Sequence, residues 1–184
     1  KDEGFHIVFA GQLSALNGVT LLLDALDHLG GDVRVTVMGG GPLEETVKAR
    51  AARDPRVTFL GLVSHDRVLE EYSRADLLVN LRLTDNQTHR YVFPSKVVEC
   101  LATGVPLLST RTGHVEEQFG GFVYILDSET PEELARRVME VMAMSHAERA
   151  ACGRRAREFV TENKTWEVQV RRIRRHIEGL WEAA

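Results

Sequence analysis

The chain alternates short apolar segments with longer segments of helical periodicity through most of its length. Helical patterns lie at about 18–29, 43–53, 66–74, 95–103 and 131–144. The six apolar segments between and beside them are typical of buried strands: FHIVFAG, VRVTVMG, RVTFLG, DLLVNL, VPLLST and FVYIL. This alternation predicts the α/β class, with a Rossmann-like three-layer α/β/α arrangement around a mainly parallel six-stranded sheet.

The strand pattern stops after the helix that begins near Thr130 and Pro131, a capping threonine followed by a proline at the first helical position. Beyond it, residues 146–160 and 165–182 show two more helical patterns. The second is amphipathic through Trp166, Val170, Ile173, Ile177 and Trp181. Because no internal repeat or linker interrupts the chain, we predict one domain over residues 1–184, in which 146–184 form a helical extension.

Composition and charge exclude several classes of protein. With 43% hydrophobic and 27% charged residues, the chain has an ordinary globular composition. No apolar segment approaches the roughly 20 residues of a membrane span. A net charge of -4 argues against nucleic acid as a partner. Cys100 and Cys152 have neither CxxC nor metal-ligand spacing, so we expect buried, reduced thiols in a cytoplasmic protein.

The C-terminal helices differ in charge from the rest of the chain, because residues 151–184 contain eight Lys and Arg against five Glu. A basic amphipathic helix can lie on an anionic membrane, which would make the protein peripheral at the inner face of the membrane. A solvated helix face or a docking face for another domain is the interpretation that the sequence favours, and the membrane remains the alternative.

Two glycine-rich segments follow predicted strands. Gly11 comes directly after the first strand, and Gly18 stands where the next helix begins. Amides at such a helix start attract phosphate, although two glycines can equally well serve tight turns, and both interpretations stay open. The segment VMGGGP fails the dinucleotide pattern GxGxxG because Glu44 stands at its last position. A GxxxxGK[ST] phosphate loop is also absent from the sequence, which disfavours a nucleoside triphosphatase.

The most polar, least periodic segment runs from residue 80 to 99 and reads NLRLTDNQTHRYVFPSKVVE. A long loop after a strand is more often functional than not. Ser95 and Lys96 stand at the start of the following helix, where a hydroxyl, a cation and free amides suit a phosphate. Glu99 shares their helix face and could accept hydrogen bonds from the two hydroxyls of a ribose. The alternative is an ordinary surface pair between Lys96 and Glu99.

In order, these motifs resemble the C-terminal, nucleotide-sugar-binding half of group 1 glycosyltransferases, a large family of retaining enzymes with the GT-B fold. The resemblance rests on FAGQLSALNGVTLLLDAL, VTVMGGGP, VTFLGLVSHDRVLEEYSRADLLVN, FPSKVVECLATGVPLLST and FVYILDSETPEELARRV, which cover about residues 5–144. The resemblance implies an N-terminal acceptor domain that is absent from this chain, and a subgroup with the signature PSK. It also implies a nucleoside-diphosphate sugar as substrate, with no metal or other cofactor.

The resemblance assigns roles to individual positions. Glu99 stands where family members bind the donor ribose, and Val63 where a backbone group contacts the base. His65 lies where a base-contacting side chain can occur. Pro94, Ser95 and Lys96 resemble a helix start that faces the donor diphosphate, and Gly11 falls in the loop below that diphosphate. The implied catalytic residues are Lys96, Glu99 and Tyr91, and the implied donor-binding set consists of Gly11, Gln12, Asn17, Val63, His65, Arg82, Arg90, Pro94, Ser95, Lys96 and Glu99.

The chain departs from the family pattern at three of these positions. Many members carry arginine and lysine in the first loop, where this chain has Gln12 and Asn17. Tyr91 stands eight positions before Glu99, where a sugar-binding glutamate is expected. A diphosphate needs nearby positive charge but no particular sequence position, so we hypothesise that Lys96, Arg90 or Arg82 compensates.

The sequence therefore predicts a glycosyltransferase donor-binding domain that uses a UDP- or GDP-sugar and retains the anomeric configuration. The acceptor is not specified by the residues, and a lipid-linked acceptor is compatible with the basic helices. Two alternatives stay open. One is a nucleotide-sugar-binding module that has lost catalysis, suggested by Gln12, Asn17 and Tyr91. The other is a sugar-nucleotide epimerase with the GT-B fold.

Overall fold

The computed structural model describes residues 4–84 and 95–182 of the 184-residue chain. Its sheet has six strands in the order β3-β2-β1-β4-β5-β6, and every pairing between neighbours is parallel. The strands are β1 (Phe5–Ala10), β2 (Val33–Met38), β3 (Val57–Gly61), β4 (Leu77–Asn80), β5 (Leu107–Ser109) and β6 (Tyr124–Ile125). The predicted α/β class with a parallel six-stranded sheet is confirmed.

The helices follow the predicted pattern closely. They are α1 (Val19–Ala25), α2 (Glu44–Ala51), α3 (His65–Arg74), α4 (Ser95–Thr103), α5 (Val115–Phe119), α6 (Pro131–Ala143), α7 (His146–Asn163) and α8 (Trp166–Glu182). Short 3-10 helices at Ala15–Asn17 and Leu26–His28 flank α1. The sequence did not predict α5, because five residues are too few to show helical periodicity.

The order of the strands reverses beside β1, which pairs with β2 on one side and with β4 on the other. In an open parallel sheet, such a reversal leaves a crevice outside the carboxyl ends of the two strands, because their connecting loops turn away to opposite sides. The loop that follows β1 and the segment that follows β4 therefore meet at this crevice.

The sheet is buried on both faces, as all-parallel sheets are. Alternate residues of β1 enter two different hydrophobic clusters. Ile7 and Phe9 pack with α1 and α6, whereas Val8 and Ala10 pack on the other face with α4 and α7. This two-sided core fixes β1 in the middle of the molecule and gives its carboxyl end a rigid support.

The C-terminal extension packs on the sheet layer through α7. Gly153 of α7 comes so close to Gly104, at the end of α4, that an added Cβ would lie 1.7 Å from the Gly104 carbonyl oxygen. Cys100 is buried between these helices, as predicted. Cys152, which was also expected to be buried, is only half-buried, and its sulfur accepts a 3.5 Å hydrogen bond from the hydroxyl of Tyr124 in the edge strand β6.

The last helix, α8, carries its predicted apolar stripe on the surface of the described structure. The side chains are 46% to 81% exposed at the predicted positions Trp166, Val170, Ile173 and Ile177, and Leu180, which was not part of the predicted stripe, is 57% exposed. The side chain of Trp181, which was predicted to share the stripe, lies outside the described residues. Within the described part of the chain, no helix combines the length and the apolar character needed to cross a membrane.

Candidate nucleotide-binding site

The loops after β1, β2 and β3 are joined by main-chain hydrogen bonds into one continuous edge. The Gly11 amide donates to the Met38 carbonyl over 2.9 Å, and the Gly39 amide donates to the Gly61 carbonyl over 2.8 Å. Gly39 has a φ of +131°, and an added Cβ there would lie 1.8 Å from the Gly11 oxygen. The glycines therefore serve close backbone approach between loops, and this edge is preformed.

Lys96 reaches across the crevice from α4 to the end of β1. Its ammonium group donates a hydrogen bond of 2.7 Å to the Ala10 carbonyl, which belongs to a residue 86 positions earlier in the chain. An added Cβ at Gly11 would lie 2.3 Å from the Lys96 Nζ atom. Gly11 thus leaves room for the ammonium group, and Lys96 of α4 places its positive charge beside the first loop.

The surroundings of Lys96 disfavour its charge in the ligand-free state. Burial lowers the pKa of Lys96, and the nearby guanidinium of Arg82 lowers that pKa further. Glu99 acts in the opposite direction, because its negative charge favours the protonated amine. An anion beside Lys96 and Arg82 would relieve the repulsion between the two cations, so their placement suits a negatively charged ligand.

Arg82 lies two residues after β4 and is half-buried. Its carbonyl oxygen accepts a 2.5 Å hydrogen bond from the hydroxyl of Thr110, a buried residue that follows β5. The Nε atom of its guanidinium is buried and has no hydrogen-bond partner in residues 4–84 and 95–182. A buried donor without a partner costs free energy.

The first turn of α4 carries the other predicted residues of this region. Ser95, the first residue of α4, is exposed, and Glu99 is half-buried one turn further along the helix. Lys96 and Glu99 therefore do not form a simple surface pair, since the lysine points to β1. Tyr91, Arg90 and Pro94 lie outside the described residues, and their predicted roles stay predictions.

The uncharged residues of the first loop brace that loop itself. The Asn17 side-chain amide donates to the Gln12 carbonyl oxygen over 3.2 Å and to the Ser14 hydroxyl over 3.0 Å. Gln12 is exposed at the carboxyl edge of the sheet. Neither side chain is positively charged, so the positive charge beside the first loop in this region comes from the ammonium group of Lys96.

The segment after β3 holds the predicted base-contacting positions. Val63 is half-buried against the cluster beneath α3, whereas His65 is exposed at the first position of that helix. The sequence did not single out Leu62, whose side chain is 84% exposed and lies over Gly40. Leu62 is one of several apolar residues in FLGLV, and nothing in that segment indicates that its side chain faces solvent rather than the core.

The structure therefore brings Gly11, Lys96 and Arg82 together at the crevice, with Ser95 and Glu99 on the adjoining helix turn. Val63 and His65 lie further along the same edge, beyond the loop of β2. In the part of the chain that the structure describes, no group of three His, Cys, Asp or Glu side chains is placed to hold a metal ion. The expectation that no metal is needed stays a prediction.

The fold defines an α/β protein of the doubly wound, Rossmann-like class, with a crevice where the strand order reverses. The chain belongs to the family of group 1 glycosyl transferases, whose family model matches residues 1–159. The resemblance found in the sequence is thereby confirmed for the family. The PSK subgroup stays a prediction.

Two curated proteins illustrate the similarity in sequence. A GDP-mannose-dependent alpha-(1-6)-phosphatidylinositol dimannoside mannosyltransferase from Mycobacterium tuberculosis is 27% identical over 158 residues, which are 84% of this chain and 40% of that protein. A phosphatidylinositol N-acetylglucosaminyltransferase component from Arabidopsis thaliana is 28% identical over 145 residues, which are 75% of this chain and 31% of that protein. The chain thus spans less than half the length of these relatives.

The fold is similar to that of HepE from Anabaena, solved in complex with UDP and glucose. The TM-score is 0.77 at 18% identity, and the alignment covers 96% of this chain and 48% of that one. Another structure of HepE, in complex with UDP-glucose, gives a TM-score of 0.74 at 18% identity and covers 98% of this chain and 49% of that one.

Proposed function

We propose that this chain is the donor-binding domain of a glycosyltransferase that takes its sugar from a UDP- or GDP-sugar. The observation that carries the proposal is the position of Lys96, which leaves α4, crosses the crevice and bonds to the Ala10 carbonyl beside Gly11. A cation held beside a glycine loop and a helix start is suited to a diphosphate. The family, the GDP-mannose-dependent relative and the UDP-bound neighbour support the same donor class.

In this proposal, different residues bind different parts of the donor. Lys96, Arg82 and the amides at the start of α4 bind the diphosphate, Glu99 binds the ribose hydroxyls, and the Val63 segment contacts the base. During transfer, the bond between the anomeric carbon and the diphosphate oxygen breaks, and a bond to an acceptor oxygen forms. The acceptor hydroxyl passes its proton to an oxygen of the leaving diphosphate, and Lys96 and Arg82 stabilise the negative charge that remains on that diphosphate. We propose retention of configuration, as the family resemblance implies.

A second domain belongs to this proposal. The matched relatives are more than twice as long as the segment that this chain aligns with. We propose that an N-terminal domain supplies the acceptor site and completes the cleft, so that residues 1–184 alone bind the donor without transferring its sugar. The acceptor is left open, including a lipid-linked one, and so is contact with the inner face of the membrane.

The uncharged first loop favours a second candidate function. Gln12 and Asn17 interact with each other and with Ser14 and carry no positive charge. A module that binds a nucleotide sugar without turning it over would tolerate this loss. Donor hydrolysis by the full-length protein distinguishes the two candidates, since only the transferase releases free sugar from its donor.

Titration calorimetry of the 184-residue chain with UDP and GDP tests the proposal. We expect saturable binding of at least one of them, and Lys96→Ala should raise its Kd roughly tenfold to a hundredfold, the range for losing a hydrogen bond to a charged group. The corresponding nucleoside, uridine or guanosine, should bind the wild-type chain and the Lys96→Ala variant with similar Kd, because it has no phosphate.

Glu99→Gln provides a matched comparison on the same helix. It keeps the shape of the side chain and removes the charge, so it should raise the Kd of the nucleoside as well as that of the nucleoside diphosphate. Absence of saturable binding of both UDP and GDP to the wild-type chain would overturn the proposed function. Equal losses for nucleoside and diphosphate in Lys96→Ala would contradict the phosphate contact.

A further inference from the structure

We propose that Glu129 is a positioning residue for this site, which acts through Thr84 by fixing the segment that carries Arg82. The proposal rests on the proposed function, since it explains how the diphosphate-binding cation is held. Neither residue stood out in the sequence, where Glu129 belongs to the polar turn before α6 and Thr84 to the polar segment after β4. The two residues are 45 positions apart in the chain.

The contact between Glu129 and Thr84 uses three hydrogen bonds. The Thr84 amide donates to both carboxylate oxygens of Glu129, each over 3.0 Å. The Thr84 hydroxyl donates to Oε1 of the same carboxylate over 2.7 Å. Hydrogen bonds to an ionised acceptor are shorter and about twice as strong as those between neutral groups. Glu129 therefore holds both the main chain and the side chain of Thr84.

The residues before Thr84 are held in turn by other loops. The Leu83 amide donates to the Leu16 carbonyl of the first loop over 2.8 Å, and the Arg82 carbonyl accepts its bond from Thr110. Gly18, with a φ of +72°, lets the Leu81 carbonyl approach to where an added Cβ would be only 2.2 Å away. Each residue of this segment is thus held by a contact with a distant part of the chain.

Of these anchors, Glu129 holds Thr84, which lies further from β4 than the other three residues. Without Glu129, Thr84 would lose these three hydrogen bonds, and the main chain that carries Arg82 two residues earlier would be held less firmly. A binding group that must be ordered by its ligand binds more weakly than one that is already in place, because ordering costs entropy. Glu129 makes no contact with the donor in this account and acts through Thr84.

The test measures Kd for UDP and GDP, and for uridine and guanosine, by titration calorimetry of the 184-residue chain. Glu129→Ala should raise the Kd of the diphosphate roughly threefold to tenfold, the usual size of coupling through a positioning residue. The Kd of the nucleoside should not change, because Arg82 contacts only phosphate. Glu132→Ala is the control, since Glu132 lies three residues away and pairs with His28 over 3.5 Å on the exposed surface.

Variants at Thr84 keep the test independent of Glu129. Thr84→Val removes the hydroxyl bond and should weaken diphosphate binding in the same direction, whereas Thr84→Ser keeps both donors and should restore the wild-type Kd. Thermal unfolding is measured alongside: a merely structural role would lower Tm while leaving the ratio of diphosphate to nucleoside Kd unchanged, and that result would overturn the inference. No binding of UDP or GDP by the wild-type chain would overturn the proposed function itself.

Discussion

Gly11 and Lys96 form the central pair of this site, because the lysine ammonium occupies the space that a side chain at position 11 would fill. Only an α-hydrogen leaves room for the Nζ atom at its bonding distance from the Ala10 carbonyl. Lysine is flexible, so a Cβ at this position would displace the ammonium, and alanine would also strain the backbone of Gly11, whose φ is +155°. Gly11 therefore matters for the position of the Lys96 ammonium as well as for the turn of the first loop.

Gly11→Ala should raise the Kd for UDP or GDP by roughly tenfold, because the displaced ammonium no longer meets the diphosphate in its fixed position. The affinity for the nucleoside should stay near the wild-type value. Gly31→Ala is the control, since a Cβ at Gly31 meets nothing within 4 Å. If titration calorimetry showed an unchanged affinity of Gly11→Ala for the diphosphate, the position of the Lys96 ammonium beside Gly11 would have no role in binding.

The sequence indicated candidate site residues, but it did not indicate their contacts. Lys96 and Glu99 were singled out from their spacing at a helix start, which is local information. The bond from Lys96 to Ala10 depends on the placement of β1 beside β4, and no local pattern encodes which strands become neighbours. Glu129 and Thr110 were missed for the same reason, because their partners Thr84 and Arg82 are distant in sequence.

The elements themselves follow from periodicity and capping, which act over a few residues. Thr130 accepts from the Glu133 amide at the start of α6, and Pro131 stands at the first turn, as the capping pattern predicted. The chain before α1 is different. A 3-10 helix at Ala15–Asn17 ends at Gly18, whose backbone has the left-handed conformation. The helical pattern of the sequence does not show this change in chain direction before α1.

The packing of α7 on α4 depends on one pair of glycines. An added Cβ at Gly153 would lie 1.7 Å from the Gly104 carbonyl oxygen and 2.5 Å from its carbon, and a rigid backbone cannot move away as a side chain could. Close approach of this kind brings α7 against the helix that carries Lys96. The close packing of α7 therefore helps to hold α4, and with it Lys96, in place.

Gly153→Ala should lower the free energy of unfolding by about 1–3 kcal/mol, the usual cost of overpacking, which corresponds to roughly 2–12 °C in Tm. Gly179→Ala in α8 is matched to it, because both glycines are helical and a Cβ at Gly179 meets nothing within 4 Å. That control should raise stability slightly, since alanine favours helix. Calorimetric melting curves showing the same change for both variants would contradict the role assigned to the Gly104 contact.

The molecule as a whole has its candidate binding residues at one edge of the sheet, where the strands end. The core residues of β1 are buried on both faces, so the loops at its carboxyl end are supported from below. Gly11, Arg82, Lys96 and Glu129 come from four separate segments, and the sheet order is what brings their contacts to this edge. The sequence resemblance predicted the location of this edge, because the order of motifs fixes the order of the loops.

The proposed function requires that the crevice beside the end of β1 binds a nucleoside diphosphate through Lys96. The most direct measurement is a series of ¹H–¹⁵N correlation spectra of the 184-residue chain during titration with UDP and with GDP. We predict that the largest shift changes occur at the amides of Gly11, Ser95 and Lys96, and that the amides of Phe5 and Asp76 at the opposite edge stay unchanged. Changes centred on that opposite edge, or none with either nucleotide, would contradict the account.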